Sequence, residues 1–542
     1  MTSMLSLLAS LLVVAAALGA GALVLAATHT LNGRPTAERL AMAFALGTGV
    51  LGWLGFFAAL GGLVDRLSLI LICVAMAPGV ILLKGRSAAS PALRFDAWAR
   101  ILLAAIATVM VFNLLEGLSP PADADSLAYH FALPKLFLAK GRLVFVPRAA
   151  DGAIPLLQQM TYMTALGIGG ERALTLWSMF GGWGAAALVY AISRRHLDVN
   201  WSLVVALVFL TTPAVVYGAG NGQVEVTNAM FTLAAAVAVA DALATGRIGY
   251  AVVAGLLAGF FAGSKYTGLA VAFSLGLTVL FQRRWLAHGA ALSTAFLIAG
   301  GQWYAWNWWN TGDPLFPMLY GLVEYRKGFP WNQAQNTIFK NMMNNYRGVP
   351  ANLWWLFLYP FKATLDPAPE FQSLRIGFGP YVLVMLPPAV VALPAISAIA
   401  TASRIVIPLP TRAPSVSAIS TAAPSEKPPL TLRTPTDNNE PPPWDSARVA
   451  PASIVILPSE GAPKAIHNLR AVRPWSRGSI QVPTVSPSTA RTTVPSSWAP
   501  AMIVGMPDHA AICAAAIFVA TPPVPNRPAF AAVRISSNTL SV

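Results

Sequence analysis

The sequence predicts an all-α fold, a polytopic transmembrane helical bundle with a disordered C-terminal tail, and three observations predict it. Of 542 residues, 56% are hydrophobic and 11% charged, with a mean hydropathy of +0.60; soluble chains carry roughly 25% charged residues. Apolar runs of bilayer length recur through residues 1–400, and a chain crossing hydrocarbon must satisfy its backbone polar groups internally, as a helix does. From Thr401 onward the character changes, for that stretch holds 23 of the 43 prolines, 3 of the 42 glycines and no tyrosine. Two regions follow: a membrane domain over 1–400 and a Pro/Ser/Thr/Ala-rich low-complexity tail over 401–542, which cannot bury enough apolar surface to offset its chain entropy. Two readings of the tail stand, a native disordered segment whose net +6 rests on anionic lipid, or a GC-rich coding region read out of frame after Ala395.

Taken in order, the expected spans are 4–27, 40–63, 67–83, 101–115, 172–192, 201–217, 226–244, 249–263, 267–281, 286–306 and 378–398, about eleven at roughly 20 residues per crossing. The first has no basic leader and no small-residue cleavage site, so it reads as an uncleaved span. The Trp-rich piece 353–361 reads as interfacial, because aromatic rings prefer the headgroup level. The formal charge of +15 suggests nucleic acid in a soluble protein, but here it works as an orientation signal. Arg34/Arg39, Lys84 to Arg100, Arg194/Arg195, Arg247 and Arg283/Arg284 all fall in connections on one face, which is then cytoplasmic, and no nucleic-acid partner is expected. Cys73 and Cys513 support neither a disulfide framework nor a metal cluster nor a thiol enzyme.

The opposite face receives 116–170, the turn 218–225, the turn Gly263 to Thr267 and the segment 309–350. In PPADADSLAYHFALPKLFLAKGR (120–142), a helix over Ser126 to Leu133 sets Asp125 and Tyr129 on one face and Ser126 and His130 on the adjacent one. Such a cluster at the membrane edge suits a general base with orienting neighbours; alternatively Asp125 or Asp123 simply caps an amphipathic helix. Glu225 enters the next span, either as a dipole-favoured first-turn acid or as a functional ionisable group. Lys265, in AGSKYTGLA, either snorkels to the headgroups or presents a fixed cation to a phosphate. In WYAWNWWNTGDPLFPMLYG an aromatic belt runs into Asn310, Thr311, Gly312, Asp313 and Pro314, an ordinary turn composition where a span ends. Arg326, Lys327, Lys340 and Arg347 lie on this face against the charge rule, where long loops weigh little or an anion is contacted.

At these residues the chain resembles the bacterial branch of the GT-C glycosyltransferases, polytopic enzymes related to dolichyl-phosphate-mannose protein mannosyltransferases. The resemblance rests on DSLAYHFALPKLFLAKG, the Pro213 to Glu225 turn, AGFFAGSKYTGLA and WNWWNTGDPLFP, and covers roughly residues 100–390. It implies a GT-C-like fold and transfer of a sugar from a polyprenyl-phosphate carrier to a cell-envelope acceptor (lipid, polysaccharide or protein) at the non-cytoplasmic face of a bacterial inner membrane. It further implies that Asp125 is the catalytic base, with Glu225 standing where the family usually has Asp. Lys265 is implied to face the donor phosphate, the turn Asn310 to Asp313 to match a donor-side segment, and Tyr129, His130 and Tyr266 to line the substrate site. Gln159 stands where an acid is expected and Asp313 where Asn is common, and both bear on whether a divalent metal ion takes part and whether the chain is active. Two other readings stay open: a polytopic transporter, for which no repeated halves are visible, and a catalytically inactive GT-C-like protein.

Overall fold

A computed structural model describes residues 3–84, 96–149, 151–345, 353–366 and 377–385. The tail 401–542, Cys513 and Arg347 lie outside the described residues.

Helices α1 (Ser3–Ala27) and α2 (Thr36–Leu60) are built from Leu, Ala and Gly and cross closely. A Cβ on Gly47 would collide with the carbonyl of Ala17, and one on Gly21 with that of Ala43. Small residues are what such a crossing needs, because lipid tails supply no hydrophobic drive between helices. Helix α3 (Arg66–Met76) starts at Asp65, whose carboxylate accepts from the amides of Leu67 and Ser68 at 3.0 and 3.1 Å, and runs on as a 3₁₀ segment to Lys84. There follow α4 (Ala97–Leu118), a π-helical turn (Ser126–His130), α5 (Ala132–Lys140) and α6 (Leu157–Gly169). Next come α7 (Glu171–Ser193), α8 (Val199–Thr211), α9 (Pro213–Gly220), α10 (Glu225–Thr245), α11 (Ile248–Ala262), α12 (Gly268–Val279) and α13 (Trp285–Thr311). Helices α14 (Gln333–Asn345) and α15 (Leu353–Leu365) follow, and the described residues contain no β-strand. Gly255, Gly259 and Gly300 bring α11 and α13 into backbone contact, and the indoles of Trp177 and Trp303 are fully buried.

The expected count of about eleven spans is not confirmed. Among the described residues six helices are long and apolar enough to cross a membrane, namely α1, α2, α3 with its 3₁₀ extension, α4, α7 and α10, or seven if the bent pair α8–α9 is one span. That pair breaks by 68° at Pro213, which has no amide hydrogen to continue the ladder. Helices α11 and α12 have 15 and 12 residues, too short to cross roughly 30 Å of hydrocarbon alone. Helix α13 has 27 residues, but His288, Gln302 and a run of Trp and Asn lower its hydropathy. The expected span 378–398 falls mostly outside the described residues, and 353–361 forms α15, with Pro360 inside it.

The two ends of the bundle differ in chemistry. At one end Arg195 donates to Glu38 at 2.6 Å and to Asp241 at 2.8 Å, while Arg34 pairs with both acids, at 2.9 Å to Asp241. Glu38 and Arg34 are buried there, and the guanidinium of Arg34 lies 5.0 Å from the Tyr250 ring centre. Arg247 donates to the His29 carbonyl, Asn200 to Asp96 at 2.9 Å and Gln282 to the Ala242 carbonyl at 2.7 Å. These bonds draw the basic connections after α1, α7, α10 and α12 and the start of α4 to one end. The other end carries the loops with the candidate chemistry.

Candidate active site

The first outer segment is fastened by Asp123. Its Oδ2 accepts from the Ser126 amide, the Ser126 hydroxyl and Gln223 Nε2, each at 3.0 Å, and its Oδ1 accepts from the Tyr217 hydroxyl. The one proton of the Ser126 hydroxyl is shared between Asp123 and the Asn221 carbonyl, the latter at 2.5 Å. The stretch Ser126–His130 is a π-turn and not the expected α-helix, with the Phe131 amide reaching back to the Ser126 carbonyl at 2.8 Å. Of the two acids weighed as caps, Asp123 therefore does the capping, and Asp125 makes no side-chain cap bond.

Asp125 is 8% exposed. Burial, then the neighbouring carboxylates of Asp123 and Glu225, push its carboxyl up to about 6, against the opposing pull of Lys265. Asp151, from the loop before α6, adds to the same push and is itself raised by burial. A carboxylate tuned in this way takes a proton near neutrality, which is what a general base needs. Tyr129 is buried beside it, and burial together with the charges of Glu225 and Asp125 keeps its phenol protonated. The His130 ring stacks on Tyr129 with centres 4.0 Å apart, and its Nδ1 meets Gln159 Nε2 at 2.7 Å. Gln159, noted in the sequence as an absent acid, here orients a buried histidine.

Glu225 sits in the first turn of α10, where the helix dipole favours an acid. Its Oε1 lies 2.5 Å from Lys265 Nζ, and the two side chains are 9% and 12% exposed. Lys265 lies largely out of water in the turn between α11 and α12, where the Leu157 amide donates to the Gly263 carbonyl at 2.9 Å. Asp123, Asp125, Glu225 and Lys265 thus come together from three separate connections.

The last expected group is held differently. Tyr266 donates to the Phe316 carbonyl at 3.1 Å and accepts from Asn307 Nδ2 at 2.9 Å, and Asn307 also reaches the Ala153 carbonyl at 3.3 Å. Asn310 bonds back to Trp306 within its own helix. Asp313 is fully buried, its oxygens accepting from the amides of Leu315 and Leu319 at 2.7 and 3.1 Å and from the Tyr325 hydroxyl at 3.0 Å. These contacts give Asn310 and Asp313 the work of shaping the turn after α13. No sequence pattern marks Tyr217, Gln223, Asp151 or Asn307. A Tyr and a Gln flanking a Gly/Asn turn carry no signal until the fold sets them against Asp123.

Among the described residues no group of three or more His, Cys, Asp and Glu side chains is arranged to hold a metal ion.

Residues 156–302 match the sequence model of the family dolichyl-phosphate-mannose-protein mannosyltransferase. The matched stretch holds Gln159, Glu225, Lys265 and Tyr266; Asp125, Tyr129, His130, Asn310 and Asp313 lie outside it. No curated protein and no solved structure matches the chain. The match spans 147 of the 542 residues and is a similarity to that family over this stretch.

Proposed function

We propose that the chain transfers a sugar from a polyprenyl-phosphate carrier to a hydroxyl of a cell-envelope acceptor, at the non-cytoplasmic face of a bacterial inner membrane. The observation that carries this reading is the meeting of Asp125, with its raised proton affinity, and the buried Glu225–Lys265 pair at the end of the bundle opposite the arginine cluster. By the positive-inside rule the arginine end is cytoplasmic, which leaves the Asp125 end outside. The carrier is amphiphilic, so its chain stays in lipid while its phosphate enters at headgroup level, close to where an outer turn holds a lysine.

In the proposed step the acceptor oxygen bonds the anomeric carbon as the bond from that carbon to the phosphate oxygen breaks. Asp125 takes the hydroxyl proton, and Lys265 faces the charge gathering on the departing phosphate. Glu225 holds Lys265 in place before the donor arrives. A single displacement inverts the anomeric centre. The transporter reading has less support, since α8–α9 is the single bent pair among the described residues, whereas inverted repeats call for two.

The test is transfer of radiolabelled sugar from a polyprenyl-phosphate donor by the purified full chain and by Asp125→Asn. We expect the variant to lose about 100-fold or more. An unchanged rate would remove Asp125 from the role of base.

A further inference from the structure

We infer that Asp123 is a positioning residue, which locks the Asp125 segment to the α9–α10 turn and sets the electrostatic field in which Asp125 works. The sequence Asp123-Ala124-Asp125 invites a reading of two equivalent acids, and the structure divides them. Asp123 has both oxygens taken, by Tyr217 from α9, by Gln223 from the turn before α10, and by the amide and hydroxyl of Ser126. Oδ2 carries three of these contacts and Oδ1 one, so the carboxylate is engaged in holding its own segment. Asp125, two residues on, makes no side-chain cap bond and is the more deeply buried of the two.

Three consequences meet in this one carboxylate. It caps the π-turn that presents Asp125, Tyr129 and His130. With the Ser126 to Asn221 bond it pins that turn two residues before Glu225, so the acid and the Glu225–Lys265 pair come from separate connections yet keep one spacing. It also stands as a fixed negative charge beside Asp125, second only to burial in raising the proton affinity there. The other charged groups acting on Asp125 are Glu225 from α10, Lys265 from the α11–α12 turn and Asp151 from the loop before α6, and the buried rings of Tyr129 and His130 adjoin it in sequence. Replacing Asp123 by Asn removes the charge and retains the size.

The inference takes its activity arm from the proposed function, so its deciding measurement is independent of activity. The carboxyl stretch of Asp125, identified as the infrared band lost in Asp125→Asn, is titrated with pH in the full chain and in Asp123→Asn. The midpoint is expected to fall by about half a pH unit in Asp123→Asn, and hydrogen exchange of 119–130 and 217–225 is expected to rise. An unmoved midpoint with unchanged exchange overturns the inference, whether or not the chain transfers sugar. Tyr217→Phe, which keeps the charge and loosens one tie, is expected to raise exchange in both segments and leave the midpoint in place. If the wild type transfers sugar, Asp123→Asn should lower kcat about tenfold with little change in donor KM, and its acid limb should move to lower pH. Equal loss in KM and kcat with a fixed limb would mean a substrate contact and would also overturn the inference. If the wild type transfers none while the infrared midpoint moves, the functional reading fails and the positioning role stands.

Discussion

Lys265 Nζ stands 2.5 Å from Glu225 Oε1, and both side chains are largely out of water. A buried pair is costly to break from one side, because the remaining charge is left without its partner, by roughly 3–5 kcal/mol. Lys265→Met and Glu225→Gln should each lower thermal stability in detergent, and the double variant should lose less than the sum of the singles. Additive losses would show that the two residues are not coupled.

The pH dependence follows from Asp125, whose carboxyl is raised from the ordinary 3.8 to about 6. A raised group adds to stability fully below its unfolded value and loses that contribution as pH rises through the folded one. Asp125→Asn should therefore gain stability relative to wild type as pH climbs from about 4 to about 7, read by unfolding temperature in parallel buffers. Transfer by the wild type should fall away below about pH 6, where the base is protonated. A transfer rate flat from pH 5 to 7 would contradict the assignment.

At the far end of the bundle, Glu38 is 1% exposed between Arg34 and Arg195. Glu38→Gln should destabilise the fold by about 3 kcal/mol or more, while the molecules that remain folded transfer at the wild-type rate. A variant with normal stability and impaired transfer would reverse that division of labour.

Membrane sidedness is open to direct measurement. Arg247→Cys should resist an impermeant thiol reagent added outside intact cells, and Leu322→Cys, at an 81% exposed position of the opposite end, should react. Cys73 is buried, and both variants also carry Cys513→Ser to remove the other native thiol. The reverse pattern would place the Asp125 end in the cytosol.

Metal dependence can be read by chelation. With Lys265 as the cation facing the phosphate, transfer should survive an excess of EDTA within about twofold. Loss restored by added Mg²⁺ or Mn²⁺ would assign the charge to a metal ion instead.

The helical class and the grouping of basic connections on one face were legible because hydropathy and Lys/Arg placement are properties of local sequence. Asp125, Glu225 and Lys265 were legible as ionisable groups beside apolar runs. The span count was less so: nothing in 201–217 weighs the bend that Pro213 imposes, and α11 and α12 read as full spans until their ends are fixed by neighbours. Asp123 and Asp125 could not be separated either, since the difference lies in partners 94 and 100 residues away, Tyr217 and Gln223. Asp313 read as a donor-side residue, and only the fold reveals the two amides and the phenol it holds.

The arginine cluster has a mechanical corollary. Arg34, Glu38, Arg195 and Asp241 bolt together the ends of α2, α7 and α10, which fixes how the three helices are aligned at that end. Helix α10 has 21 residues and is about 30 Å long. A pivot of about 5° there swings Glu225 by about 3 Å, the breadth of a hydrogen bond. A tilt of a few degrees at the arginine end therefore registers at the Glu225–Lys265 pair as a displacement of hydrogen-bond size.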